Sequence, residues 1–268
     1  MKELLTRTLS GAVYVTLVLG AAWLGYEATA LLFLPIAGMA ALELHRLLWK
    51  DRVGGPPMII TISLAMITYA AWAGVLRFPD PHFPFAIAIT FGALLLAYIL
   101  LLRSGTSAPG AVMGHHLITV FYIAVPMACA SWMATDGHIL IGFMLLLWTN
   151  DTGAYLVGKA IGRTKLMPKV SPGKTWEGFL GGLILSIAVA WAIAKHLDSE
   201  LPGRTWLIAS VVVTITATLG DLLESAMKRA AGVKDSGTIM PGHGGVLDRF
   251  DGYLLAAPAM VLLAIWLS

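Results

Sequence analysis

Charge is what this sequence has least of: Asp, Glu, Lys and Arg supply 12% of its 268 residues, about half the share in an ordinary soluble domain. That poverty excludes a disordered segment, which combines high net charge with few apolar groups, and a coiled coil, which flanks its apolar seam with charges. Cysteine is nearly absent too. The single Cys129 excludes an internal disulfide and a cysteine-based metal cluster, and it reads as a small apolar residue in a helix. Nor does one sign dominate: 18 Lys and Arg against 15 Asp and Glu leave +3. That surplus is too small for a nucleic-acid binder, so where the charges sit matters more than their sum.

Apolar residues take up the rest. They make up 58% of the chain, and the mean hydropathy is +0.81. A membrane-crossing helix needs roughly 20 such residues. Apolar stretches near that length, separated by short polar or Pro/Gly segments, recur at roughly 8–25, 28–45, 57–76, 83–102, 116–134, 138–160, 178–195, 204–227 and 251–267. They predict an all-α, polytopic transmembrane helical bundle of about nine spans, since helices satisfy their own backbone groups in lipid. Lys2, Arg7 and Ala28-Thr29-Ala30 resemble the flanks of a signal peptide. The apolar run between them is too long for one, and another follows at once, so an uncleaved first span is expected.

With the N-terminus in the cytoplasm, one set of connections collects Lys2, Arg7, Arg46, Lys50, Arg52, Arg103, Lys159, Arg163, Lys165, Lys169, Lys174, Lys228, Arg229, Lys234 and Arg249. That is 15 of the 18 basic residues, leaving Arg77, Lys195 and Arg204 on the other side. This asymmetry predicts a cytoplasmic N-terminus. Residues 1–135 form an N-terminal group of spans one to five. Residues 136–268 form a C-terminal region of spans six to nine, expected to be catalytic, whose connections at 159–178 and 228–250 mix Gly, Lys, hydroxyls and acids.

In the second of these, Asp221, Glu224, Ser225 and Lys228 follow at i, i+3, i+4 and i+7 and share one helix face. Asp248 and Asp251 are three apart at the mouth of span nine. Unpartnered carboxylates inside the apolar zone are costly. Three of them from two adjoining helices make a hard-oxygen site suited to Mg²⁺, with Asp221, Asp248 and Asp251 as ligands. The Pro241-Gly242-His243-Gly244-Gly245 turn has little bulk, so its backbone N–H groups can approach an anion. In the first connection, Ser171-Pro172-Gly173-Lys174-Thr175 reads as a phosphate-binding turn before a helix start, although the Walker A spacing is missing. Alone, this loop has a basic lipid-headgroup patch as its alternative reading; beside the acids it reads as the other wall of one site. Asp151 and Tyr155, four apart on span six, join it. Glu43 with Arg46 reads as a helix-end pair, and His115-His116 as an interfacial start to span five.

The run Ser225-Ala226-Met227-Lys228-Arg229, then Lys234-Asp235, then Pro241 through Asp251 closely resembles the signature of phosphatidate cytidylyltransferases (CDP-diacylglycerol synthases). Asp151-Thr152-Gly153-Ala154-Tyr155, Ser171-Pro172, Lys174 through Gly178 and Arg7 through Gly11 also match. Met240 stands where Leu, Ile or Phe is usual, and Gly173 where Lys is expected, which removes one phosphate contact and leaves Lys174. The likeness is strong over the C-terminal half and loose over spans two to five. It implies transfer of the cytidylyl group of CTP to phosphatidic acid for phospholipid biosynthesis. It also implies dependence on Mg²⁺ (one or two divalent cations, with a monovalent cation as an option), a homodimer, and a multi-pass protein of the bacterial inner membrane whose site faces the cytoplasm.

The roles expected follow from anion meeting anion. Asp221, Asp248 and Asp251 hold the cations, and Lys228, Arg229 and Lys234 neutralise pyrophosphate or the lipid phosphate. Ser225, His243 and the Gly244-Gly245 backbone shape the phosphate pocket, with His243 either a general acid or a turn-stabilising residue. Ser171, Lys174 and Thr175 contact CTP or lipid phosphate, and Asp151 is a metal or ribose contact or a partner for a lysine. Asp248→Asn is expected to abolish turnover in a protein that still inserts. A CTP-dependent lipid kinase is the nearest rival, at odds with the long signature match. A transporter would place its polar groups near mid-membrane.

Overall fold

The computed structural model describes residues 2–49, 54–77, 79–240, 242 and 244–267, with side chains from residue 8 onward except those of 76–83. The chain runs α1 (Lys2–Leu24), α2 (Tyr26–Trp49), α3 (Met58–Arg77), α4 (Pro79–Ser104), α5 (Pro109–Ile118), α6 (Val125–Met133), α7 (Gly137–Ile161), β1 (Lys165–Met167), β2 (Ser171–Thr175), α8 (Trp176–His196), α9 (Gly203–Ala230) and α10 (Leu247–Leu267). A π-helical turn, Thr119–Ala124, joins α5 to α6 in one rod. Pro126 follows it; a proline ring clashes with the carbonyl four residues back, and the widened turn relieves that crowding.

Among the described residues, eight helical stretches are long and apolar enough to cross a membrane: all the rods after α1, with α5 and α6 counted together. The apolar part of α1, Thr8–Leu24, is shorter. The rods coincide with the nine expected spans. The fifth departs from its expected start at 116, because Pro109 opens the helix in its first turn. His115 and His116 are therefore buried inside the bundle rather than interfacial. His115 Nε2 and His45 Nδ1 both stand 3.1 Å from Thr61 Oγ1.

Large apolar side chains such as Leu102, Ile184, Leu262 and Trp266 are exposed on the outside, as suits helices whose surroundings are apolar. The interior is aromatic and small. Phe33 of α2, Phe143 of α7, and Phe250 and Tyr253 of α10 meet edge to face or tilted, with centroids 5.4–6.0 Å apart. Residues of the N-terminal helices thus lie in one core with those of α7 and α10.

Two close crossings place the polar residues. Helices α7 and α8 meet through glycine, and a Cβ at Gly182 would come within 2.7 Å of Asn150 O. Helices α9 and α10 meet at Gly220, where a Cβ would lie 2.4 Å from Asp251 O and 3.3 Å from Gly252 Cα. Asp221 and Asp251 flank that crossing directly.

Candidate active site

One departure from an all-helical chain lies between α7 and α8. The segment expected to be a turn is the second strand of a small antiparallel hairpin, with Lys165 opposite Thr175 and Met167 opposite Ser171. Its strand ends on Thr175, which caps α8 by accepting the Gly178 N–H at 3.1 Å. Glu177, in the first turn of α8, holds the other side. It accepts the Arg163 and Thr164 N–H groups at 3.1 Å and the Thr164 hydroxyl at 2.9 Å.

This hairpin closes a cavity of about 410 Å³ against α7, the start of α8 and α9. Asp151, Ser171, Lys174, Thr175 and Asp221 line it, so the first polar connection stands around one space with α7 and α9, while none of the described residues of 228–250 lines it. Asn150, Tyr155, Lys159 and Thr218 complete the polar lining. Lys174 Nζ reaches across to Asp221 Oδ2 at 2.6 Å, and the Ser225 hydroxyl donates to Asp221 Oδ1 at 3.2 Å. Asn150 Nδ2 approaches Asp151 Oδ1 at 3.5 Å. Lys159 Nζ lies over the Tyr155 ring, 5.6 Å from its centroid.

A second polar group is closed. Lys228 pairs with Glu224 one turn before it and with Asp248 Oδ1 at 2.6 Å. Asp248 Oδ2 accepts the Ser236 N–H and hydroxyl, each at 2.9 Å, and the Gly245 N–H at 2.7 Å. The Gly245 amide is therefore turned to Asp248 within the chain. Gly244 has φ +83° and would place a Cβ 2.7 Å from Asp248 Oδ2, a position only glycine fills without strain. Arg229 donates to Val233 O at 2.8 Å, and Lys234 is exposed. His243 and Pro241 lie outside the described residues.

Glu43 is fully buried and is not half of a helix-end pair. It accepts the Val246 N–H at 3.0 Å, the Leu247 N–H at 2.8 Å and the Ser236 hydroxyl at 3.2 Å. Arg46, three residues on, points out to the exposed surface. Neither Glu43 nor Ser236 stands out in the sequence as a site residue. The available signal was a carboxylate within a long apolar stretch, which needs donors from somewhere. Lys159 had a plainer one: it continues the helical spacing of Asp151 and Tyr155.

The carboxylates of Asp221 and Asp251 stand at the α9–α10 crossing, and Asp251 feels the like charges of Asp221, Glu224 and Asp151. Asp248 is spent on Lys228, Ser236 and Gly245 instead. Among the described residues, no three His, Cys, Asp or Glu side chains are placed as they stand to share one metal ion.

A family model described as the cytidylyltransferase family matches residues 5–266 of the chain. The phosphatidate cytidylyltransferase of Staphylococcus haemolyticus is 34% identical over 261 residues, covering 97% of this chain and 98% of that one. The protein of the same name from Staphylococcus aureus is 35% identical over 243 residues, 88% and 89% of the two chains.

Proposed function

The chain belongs to the cytidylyltransferase family, and from that premise we propose that it transfers the cytidylyl group of CTP to phosphatidic acid, giving CDP-diacylglycerol and pyrophosphate. The observation that carries this reading is the likeness to a phosphatidate cytidylyltransferase along 97% of the chain. The cavity supports it, because it gathers Asp151, Asp221, Lys159 and Lys174 around a space large enough for a phosphate chain.

The lipid phosphate is itself the nucleophile. One of its oxygens attacks the α-phosphorus of CTP. A new P–O bond forms as the bond from the α-phosphorus to the bridging oxygen breaks, and that electron pair leaves with pyrophosphate. No protein nucleophile is needed, and the protein's work is alignment and charge neutralisation. Lys174 and Lys159 supply positive charge in the cavity, with Ser171 and Thr175 beside them. Ser225 orients Asp221. Asp151 contacts the ribose or a lysine of the cavity, and Lys228, Arg229, Lys234 and the Gly244-Gly245 turn border the reacting phosphates.

Mg²⁺ is the cofactor this chemistry uses. Asp221 and Asp251 present only oxygen donors and crowd like charge at one helix crossing, a donor set that fits a hard divalent cation. Asp248 is the third residue that would hold it, giving up its contact with Lys228 to do so. When bound, one or two such ions would supply positive charge to offset that of the phosphates. The homodimer that the resemblance implies completes the assembly. The site faces the cytoplasm of a bacterial cell, supported by the placement of 15 of 18 basic residues on that side of the spans. The acyl chains stay in the bilayer while the headgroup enters the cavity.

Purified protein in detergent with Mg²⁺, phosphatidic acid, diacylglycerol and CTP labelled at either the α- or the γ-phosphate tests this. Lipid-phase label from the α sample alone is expected. Label from the γ sample would make the protein a kinase, and label from neither would end the reading.

A further inference from the structure

We infer that Glu43 is a positioning residue for this reaction: acting through Ser236 and the Val246 and Leu247 amides, it sets where Asp248 and the first turn of α10 stand. The inference rests on the transfer reaction proposed above and on the part Asp248 takes in it.

Glu43 belongs to α2, and its partners come from the far end of the chain: Ser236 is 193 residues later in sequence and Leu247 is 204. A carboxylate with no exposed surface is expensive unless donors surround it. Among the described residues its three donors, Ser236, Val246 and Leu247, lie in the connection from α9 and at the first residue of α10. Burial of Glu43 is therefore offset only when that segment is docked against α2 in this arrangement. Two of the donors are amides at the opening of α10, where unpaired N–H groups and the helix dipole favour a negative charge. Glu43 thus caps a helix that is not its own.

The third donor makes the link to Asp248. The Ser236 hydroxyl stands 3.2 Å from Glu43 Oε2 and 2.9 Å from Asp248 Oδ2. One hydroxyl hydrogen serves two carboxylates, so displacing one displaces what holds the other. Backbone walls this contact in. A Cβ at Gly245 would lie 2.3 Å from Ser236 Oγ and 2.4 Å from Glu43 Oε2, and one at Gly237 would lie 2.4 Å from Glu43 Oε1. Asp248 is held on one oxygen by Lys228 and on the other by donors that Glu43 fixes in turn. The N-terminal half therefore contributes to the reaction through geometry, without lining the cavity.

The test is a cycle of Glu43→Gln, Ser236→Ala and the double variant in full-length protein purified in detergent. Turnover and the KM for CTP are read well below each variant's melting temperature, with Asp248→Asn alongside. Glu43→Gln is expected to lower kcat by about 10- to 100-fold, the size of effect that a displacement near 1 Å produces, with KM changed by less than about threefold. The double variant should lose little more than the worse single one, because both act on one path. Glu43→Asp, which keeps the charge, should recover part of the loss. A merely structural role would instead give losses that track the fraction folded and multiply in the double variant. That result, or a folded Glu43→Gln turning over like the wild type, overturns the inference. If Glu43→Gln does not fold, Ser236→Ala decides: an unchanged kcat overturns the path, and a fall of about 10-fold with KM unchanged upholds it. An inactive Asp248→Asn beside an active Glu43→Gln sinks this inference alone, whereas an active Asp248→Asn sinks the role of Asp248 on which it rests.

Discussion

Around the cavity, Lys174 and Asp221 pair at 2.6 Å while keeping 27% and 32% of their side-chain surface exposed. In the closed network, Lys228 and Asp248 pair at the same 2.6 Å with only 9% and 6% exposed. The residue types and the distance agree, but the solvent does not. A half-exposed pair is worth about 0–1 kcal/mol and exchanges partners readily. A buried one leaves a stranded charge when either member goes. The cavity therefore holds groups that can turn to a substrate, and the network holds groups that keep the signature segment in place. Asp221 and Asp251, at the α9–α10 crossing, stand where the two regions meet.

Asp221→Asn should have the largest effect on chemistry alone. Turnover is expected to fall on the order of 10³-fold, as when a group acting on developing phosphate charge is removed. The melting temperature in detergent should hardly move, because only a half-exposed pair is lost. A large drop in melting temperature would move Asp221 from the cavity to the network. Chelation of divalent cations by EDTA should silence the wild type to a similar degree and be reversed by Mg²⁺. Undiminished label transfer in chelator would remove the cation from the reaction.

Asp248→Asn should differ in kind. Turnover is again lost, but about 2–3 kcal/mol of stability goes with it, because among the described residues buried Lys228 keeps only Glu224 as a charged partner. The sequence predicts a variant that loses turnover and still inserts, and the network adds a cost in stability: chemical denaturation of the purified variant should show an earlier midpoint, and an unchanged midpoint would show that Asp248 is as free as Asp221.

How much of this could be read from the chain depends on range. The spans were legible because burial in an apolar medium leaves a long, continuous signal, and the rods start and stop close to where hydropathy placed them. The gathering of Asp221 with Ser171, Lys174 and Thr175 followed from their shared chemistry at one end of the spans. The partners of Glu43 were not legible. They are about 200 residues away, and Arg46 one turn on offered a local explanation for the charge. The strand Ser171–Thr175 was hidden for a different reason: Pro172 and Gly173 signal a turn, and only the pairing of Lys165 with Thr175 and Met167 with Ser171 reveals a hairpin. Asp248 and Asp251 looked like a matched pair by spacing, and the fold separates them by what surrounds each.

Within the cavity, Lys174→Ala should cut kcat/KM for CTP by about 10- to 100-fold, mostly through KM if the lysine binds phosphate equally in ground and transition states. Stability should change by no more than about 1 kcal/mol. A loss confined to kcat would instead make Lys174 a group used only as charge develops.

Glu177→Gln should have the smallest effect and the most local one. Its carboxylate takes three donors at the base of the hairpin, and an amide can accept from fewer of them while turning its own N–H groups towards donors. The hairpin should then loosen at the end that carries Lys165 and Thr175, while Thr175 still caps α8. Because Ser171 and Lys174 ride on that hairpin, the KM for CTP should rise roughly threefold, in keeping with the modest worth of an exposed charged contact, with kcat and melting temperature unchanged. A fall in kcat with KM held constant would mean that the hairpin aligns the reacting groups rather than gathering substrate. It would then belong with the network and not with the cavity that it closes.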